Sequence, residues 1–460
     1  MLSISGYHMA VVAGMVFFAI RALFALFGAF ANRHPIKKWA ALAALVVAAF
    51  YLALSGAEVA NQRSFIMIAI VLIGVMVDRQ TLTFRTITVA AIAVLLLAPE
   101  AVVHPSFQMS FAATLALIAG YQHGLPFTTG GAETPFAARI ALWGGREIVG
   151  LTLVSLLAGT ATIPYTAYHF HRMSPFGVIA NLAAMPIVSA WVMPWGILGL
   201  IAMPLGLDGL CWRMMGLGIE WMTAVAVWVA ALPGAVGRVA AFGPGALLVC
   251  TLGIVLLCLL RTPLRLIGAL LVGVAVLMML RTDQPDVLIA ADANAAAVRG
   301  RDGRLAILHF GSDTFAPREW LSAEGDARTP KDASLRNGVG CDDAGCIAKL
   351  ADGSLVAIVR RVEAFEEDCR RAALVISGRE APTDCGTLVI DRRTARASGS
   401  LALRRVEGGF EVTPARPNGY DRPWAHNPIR TPVGVPEGGG VPNPPSRDAT
   451  PSMDDLEAGD

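Results

Sequence analysis

The sequence predicts a polytopic α-helical membrane protein of about ten spans, followed by a small α/β domain and a disordered tail. Three observations predict it. Of 460 residues, 55% are hydrophobic and 16% charged, with a mean hydropathy of +0.57, a balance that no ordinary soluble domain of this size shows. Apolar runs of bilayer length, about 20 residues each, recur through residues 1–280. Charge is sparse there and concentrates afterwards, so the formal net charge of +2 covers two unlike halves and decides nothing about a nucleic-acid partner.

The runs fall at roughly 9–30, 39–55, 64–77, 86–98, 107–121, 148–168, 175–203, 209–232, 242–260 and 264–280. The seventh carries Pro186 and Pro194, so it is either one kinked span or two half-helices around a re-entrant turn. If all ten are single spans, Arg33, Lys37, Lys38, Arg79, Arg85, Arg139, Arg146, Arg261 and Arg265 collect on one side. Arg63, Arg172, Arg238 and Arg281 lie on the other. The basic excess makes the first side cytoplasmic and puts the polar half outside, in the periplasm; an extra break in the seventh run would reverse this. Met1 leads directly into an apolar stretch with neither a basic segment nor a cleavage site, which is not a signal peptide. The expectation is an N-terminally truncated protein.

From 286 to 416 short apolar strands alternate with turn signals: DVLIAAD, AAAVRG and RLAILHF, with Asp302-Gly303 between the last two. Residues 315–323 and 362–373 read as helices. Further strands follow at 355–360, 374–377 and 387–391, then a hairpin around Gly408-Gly409. From Pro414 onward the chain has ten prolines in 47 residues and an acidic end, a composition that buries no core, so 417–460 is expected to be disordered. No phosphate-binding glycine loop occurs, and no cofactor is called for.

Three stretches bring polar side chains into lipid-grade runs, where an unpaired polar group costs several kcal/mol: 3–14 (SISGYHMAVVAG), 104–120 (HPSFQMSFAATLALIAG) and 174–189 (SPFGVIANLAAMPIVS). His8, beside Ser5 and Gly6, either lines a polar passage or belongs to interfacial cap chemistry. Glu58 and Arg63 are either groups facing a cavity that attracts a phosphate backbone or a solvated interfacial pair. Gln108 and Phe111, three apart, share a helix face that Ser110 cannot also share; an amide beside an aromatic suits contact with a nucleobase, and equally packing between helices, where Gln108 and Ser110 bond across an interface. His169, His171 and Arg172, with Tyr165 and Tyr168, lie between Pro164 and Pro175. Two histidines at that spacing suit a strand better than a helix, and an interfacial belt describes them better than a metal site. Asn181 and Pro186 mark either a broken helix lining a passage or a simple kink.

Seven cysteines divide by setting. Cys211, Cys250 and Cys258 lie in apolar runs as small core residues. Cys341, Cys346, Cys369 and Cys385 lie in the polar half, where they form two disulfides if that half is outside. Without neighbouring histidine they make a poor zinc site.

Four segments, Ser5 to Met9 (SGYHM), Arg63 to Met67 (RSFIM), Pro105 to Phe111 (PSFQMSF) and Asn181 to Pro186 (NLAAMP), resemble in order and spacing the competence domain of the ComEC family. That resemblance covers residues 1–280 and implies a polytopic inner-membrane channel for uptake of single-stranded DNA during natural transformation. It also implies a passage lined from these segments and from Glu58. The implied partners are single-stranded DNA, the lipid bilayer, a DNA receptor and a cytoplasmic motor, with a homo-oligomer open. Family members commonly end in a metallo-β-lactamase-like domain with an HxHxDH motif. Residues 286–416 resemble that module in position and strand pattern, but the histidine before the tail, His309, is followed by FGSD. Two zinc ions need several His and Asp ligands, so the domain is expected to be a degenerate relative without hydrolase activity or metal. The rival expectations are a secondary transporter of a small solute and a non-functional truncated remnant.

Overall fold

The computed structural model describes residues 6–27, 33–56, 59–78, 83–122, 136–309 and 314–416. The chain divides into two compact units, Met1–Gln284 with Pro317–Asp332, and Pro285–Ala316 with Ala333–Asp460. The tail at 417–460, expected to be disordered, lies outside the described residues.

The first unit is helical. Its helices are α1 (Gly6–Ala25), α2 (Ile36–Leu54), α3 (Val59–Met76), α4 (Phe84–Leu97), α5 (Pro105–Gln122), α6 (Phe136–Phe170), α7 (Gly177–Ile187), α8 (Met193–Ala202), α9 (Gly209–Ala230), α10 (Pro244–Leu259) and α11 (Arg265–Leu280). Among the described residues four are long and apolar enough to cross a membrane: His8–Ala25, Ile36–Leu54, Ile148–Phe170 and Gly177–Leu205. Ser64–Met76, Phe84–Leu97, Pro244–Leu259 and Arg265–Leu280 are shorter apolar helices. Their exposed faces carry large apolar side chains such as Phe18, Phe50, Leu96 and Leu270, as surfaces facing hydrocarbon must.

Local chemistry explains the boundaries. Thr83 and Thr86 cap α4 reciprocally, each hydroxyl accepting the other's backbone N–H. Pro244 stands at the start of α10, where its missing N–H is not needed. Small residues let the helices approach. Ala112, Ala116 and Ala119 on α5 meet Ala161 and Tyr165 on α6 and Ala246 and Leu247 on α10, the packing expected where lipid supplies no hydrophobic drive.

The 175–203 run is one continuous helical stretch, not two half-helices. A π-helical turn, Val188–Val192, joins α7 to α8, and the Met193 N–H reaches back to Val188. Pro186 and Pro194 remove two backbone donors and crowd the preceding turn; widening the helix by one residue between them absorbs that without a break.

Two short strands, β1 (Arg172–Met173) and β2 (Gly237–Arg238), pair within the first unit. The strands of the second unit are β3 (Val287–Ile289), β4 (Ala295–Arg299), β5 (Leu305–His309), β6 (Val339–Cys341), β7 (Gly345–Lys349), β8 (Leu355–Val359), β9 (Leu374–Ser377), β10 (Leu388–Ile390), β11 (Leu401–Val406) and β12 (Gly409–Pro414). They form two five-stranded sheets. One has the order β12-β11-β3-β4-β5 and is antiparallel throughout; the other has the order β10-β9-β8-β7-β6. α12 (Phe315–Ala323) has the bounds its sequence predicts, and its residues from Pro317 on belong to the first unit. β8, β9 and β10 run parallel, with α13 (Phe365–Arg371) connecting β8 to β9 and α14 (Arg392–Ser398) following β10.

β8 reads LVAIV without alternation because both of its faces are covered. Val356 and Ile358 pack with Val287, Ile289 and Leu374 in the core of the unit. Ala357 and Val359 pack under Phe365 of α13.

Candidate functional site

The family-like segments lie on α1, α3, α5 and α7. α1 packs on α2 and α3, α5 packs on α6, and α7 packs on α6 and α9. Ser5 and Glu58 lie outside the described residues, and Arg63 is described by its backbone alone, within α3. Gly6 opens α1. His8 is half-buried, while Met9 beside it is 0% exposed and anchors that helix in the bundle.

Residue spacing missed Asn61, two residues before Arg63. Its side chain is 1% exposed, and its Nδ2 donates to Ser55 Oγ at 3.2 Å. Ser55 Oγ donates in turn to the Leu52 carbonyl at 3.0 Å. The chain ties the end of α2 to the start of α3, satisfying polar groups that hydrocarbon would leave stranded. The available signal was an Asn heading the polar run NQRS at the start of an otherwise apolar helix.

The principal polar contact joins two motifs that look separate in the sequence. Gln108 Nε2 donates to the Val102 carbonyl at 3.0 Å. That leaves Oε1 to accept from His169 Nε2–H at 2.8 Å, which sets the imidazole tautomer. His104 sits at the start of α5, its Nδ1 accepting the Ser106 N–H. The Tyr168 ring meets His169 edge-on, with centroids 4.9 Å apart, and also meets Phe242.

Phe111 turns elsewhere. It packs with Phe107 at 4.3 Å between centroids, in an apolar cluster with Val94 and Ala101. Ser110 is half-buried, and its carbonyl accepts from Thr114. Asn181 is half-buried with no hydrogen-bond partner among the described residues, and Pro186 is exposed on the same helix.

His169 and His171 do not sit on a strand. His169 lies in the last turn of α6, and His171 follows with φ +54°, a left-handed residue that ends the helix. The His171 carbonyl accepts the Val239 N–H at 3.1 Å, and β1 then pairs with β2, Arg172 opposite Arg238. His171 Nδ1 is buried without a hydrogen bond among the described residues. Burial pushes this imidazole below its usual range, and Glu319 on α12 opposes the shift. Arg238 donates to the Asp326 carbonyl, and the Ala241 N–H to that of Ala323, so the segment Pro317–Asp332 closes this end of the helical unit.

Replacing Gln108 by Leu leaves His169 Nε2–H without its acceptor. The expected cost is about 0.6 kcal/mol and at most about 2, the range for hydrogen bonds between membrane helices. A double-mutant cycle with His169→Phe, read from unfolding in detergent, checks it; a coupling energy of zero would show that the pair contributes nothing.

In the second unit the cysteines pair as Cys341–Cys346 and Cys369–Cys385, whereas Cys211, Cys250 and Cys258 are free and buried in helices. His309 ends β5, and residues 310–313 after it lie outside the described residues. Among the described residues no three His, Cys, Asp or Glu side chains converge as metal ligands would.

Apolar helices long enough to cross a bilayer, joined through the buried Asn61 amide, the Tyr165 hydroxyl and the half-buried Gln108–His169 pair, define the class: this is a membrane protein. The family described as Competence protein matches residues 1–264, more than half of the chain, and the chain belongs to that family. It is similar to ComE operon protein 3 of Bacillus subtilis (strain 168), with 25% identity over 206 residues. That alignment covers 45% of this chain and 23% of the relative, so the chain spans about a quarter of the length of the curated relative it matches. No solved structure matches.

Proposed function

We propose that this chain is an inner-membrane channel component for uptake of single-stranded DNA during natural transformation. The observation that carries the reading is family membership across residues 1–264. In this reading about ten spans build the bundle, the shorter apolar helices included, and residues 286–416 lie in the periplasm. The passage is polar and weakly binding, because tight sites would stall a moving strand. The half-buried Asn181 and the Gln108–His169 pair supply neutral hydrogen-bonding groups of the kind such a passage needs. The two disulfides support an oxidising compartment for the second unit. Its pair of five-stranded sheets supports kinship with a metallo-β-lactamase-like module. We take that module as non-hydrolytic, because metal-assisted phosphodiester cleavage needs a ligand cluster. A DNA receptor, a cytoplasmic motor and self-association complete the proposed set of partners.

The test is transformation frequency in a deletion strain of the source organism, complemented with residues 1–460 or with a form extended to the nearest upstream in-frame start. Rescue by either, read as DNA reaching the cytoplasm, supports the channel reading. Rescue by neither, in a competent strain that expresses both, overturns it in favour of a small-solute transporter or a non-functional remnant.

A further inference from the structure

The second unit places four arginines around one carboxylate. Arg379, Arg392, Arg393 and Arg396, with Glu380, line a cleft of about 510 Å³. The fold sets the cleft where parallel strands end: Arg379 follows β9, and Arg392 and Arg393 follow its parallel neighbour β10. Ligands of open α/β sheets are bound at such carboxyl ends.

The loops are held by their own hydrogen bonds. Ser377 Oγ donates to the Val359 carbonyl and accepts the Arg379 N–H at 3.1 Å. The Arg392 N–H donates to the Arg379 carbonyl at 3.3 Å, fixing one arginine loop against the other. Asp391 is occupied with capping α14, its Oδ1 accepting from the Thr394 N–H and hydroxyl at 2.8 and 2.9 Å. Among the described residues it is not part of the cleft lining.

Folding does not require this arrangement. Arg392 and Arg396 are like charges one turn apart on a short helix, a pairing that weakens helices. All four arginines are exposed, and none makes an ion pair or side-chain hydrogen bond among the described residues. Contrast α13, where Arg370 and Arg371 are each matched by a glutamate four residues earlier. A local rule broken without compensation marks a site that serves something outside the fold.

We infer that this arginine cleft binds the backbone phosphates of a nucleic-acid strand. Guanidinium forks match phosphate oxygens in pairs. Among the described residues, the cleft lining contains no aromatic or large apolar side chain, and so offers neither base stacking nor the insertion a lipid surface uses. What remains is sequence-independent contact with the backbone, which is what a passing strand requires. The inference rests on the DNA reading above and adds a second contact surface to it.

The test uses the full chain in nanodiscs of zwitterionic lipid and a fluorescent single-stranded oligonucleotide, with anisotropy followed across a salt series. Four phosphate contacts give a log–log salt slope of about −3, since each contributes about −0.7 on a single strand. The quadruple variant R379Q/R392Q/R393Q/R396Q is expected to lose at least about tenfold in affinity and most of that slope. The corresponding quadruple Arg→Lys variant retains binding, which separates lost charge from lost fold, and Glu380→Gln tightens it. A glutamine variant that binds with wild-type affinity and slope overturns the cleft and leaves the DNA reading standing. A wild-type chain that binds no strand overturns both. Arginine-dependent capture of phosphatidylglycerol vesicles in place of the oligonucleotide overturns the inference in favour of a lipid surface.

Discussion

Removing the Cys369–Cys385 disulfide, as Cys369→Ser with Cys385→Ser, is expected to destabilise the second unit by about 3 kcal/mol. The bond closes a 16-residue separation, and the entropy it withholds from the unfolded chain grows with the loop. Cys341–Cys346 closes a separation of 5, for which the same relation gives about 2 kcal/mol. Its hairpin is also held by the ladder that pairs Val339 with Ala348 and Gly340 with Ile347. The Cys369–Cys385 bond therefore dominates. Both cysteines pack against the apolar cluster that includes Phe365 and Val375, so the serines also place hydroxyls at a partly apolar contact. Proteolytic susceptibility of the purified full chain, under denaturant, orders the wild type, this variant and Cys341→Ser with Cys346→Ser. Equal resistance in all of them would remove the structural role of both bonds. In intact cells the four thiols should react with a maleimide only after reduction; reaction without a reductant would place the unit in a reducing compartment and remove the periplasmic reading.

That pairing shows what one sequence carries and what it does not. Four cysteines in the polar half were legible as a group, but their connectivity depends on which strands meet. β3, β4 and β5 were legible because apolar runs alternate with strong turn dipeptides. β6 and β7 were not. Their sequence, VGCDDAGCIAK, has little apolar pattern, and the turn is made by Asp342, whose carboxylate accepts the N–H groups of Ala344 and Gly345 at 2.8 Å each. Those bonds hold the carboxyl below its usual range. α14, reading RRTARAS, likewise lacks apolar periodicity, and its signal was the Asp391 cap alone.

The candidate site was half legible for a similar reason. Polar residues in lipid-grade runs stand out singly, so Gln108 was found and His169 was noted. Their contact spans 61 residues, and no local spacing rule reaches that far. Phe111 followed the opposite course. Its spacing from Gln108 shared a face with it, yet the ring went to the Phe107 cluster, because a large aromatic is better served by a protein core than by a polar path. Pro186 and Pro194 left a break or a kink open, and the widened turn between them leaves the helix continuous.

Alanine at Gly253 or at Gly268 is expected to separate α10 from α11 and lower stability by at least about 1–3 kcal/mol, the usual cost of overpacking. A Cβ on Gly253 would lie 2.8 Å from the Gly268 carbonyl oxygen, and one on Gly268 would lie 2.7 Å from that of Gly253. Both obstacles are backbone, so no side-chain rotation relieves them, and the two helices must move apart along their length. Few other forces hold such a pair in lipid, where apolar side chains gain nothing by leaving hydrocarbon and close backbone contact supplies the attraction. Gly273, on the same helix as Gly268, is the control, since a methyl group added there would have no neighbouring atom within 4 Å. There alanine is expected to stabilise by roughly 1 kcal/mol through helix propensity. Thermal unfolding in one detergent compares the three variants. If Gly253→Ala and Gly268→Ala melt with Gly273→Ala rather than well below it, the close crossing does not hold these helices together. The bundle would then owe its cohesion to the alanine stripe on α5 and the Tyr165–Thr251 hydrogen bond between α6 and α10.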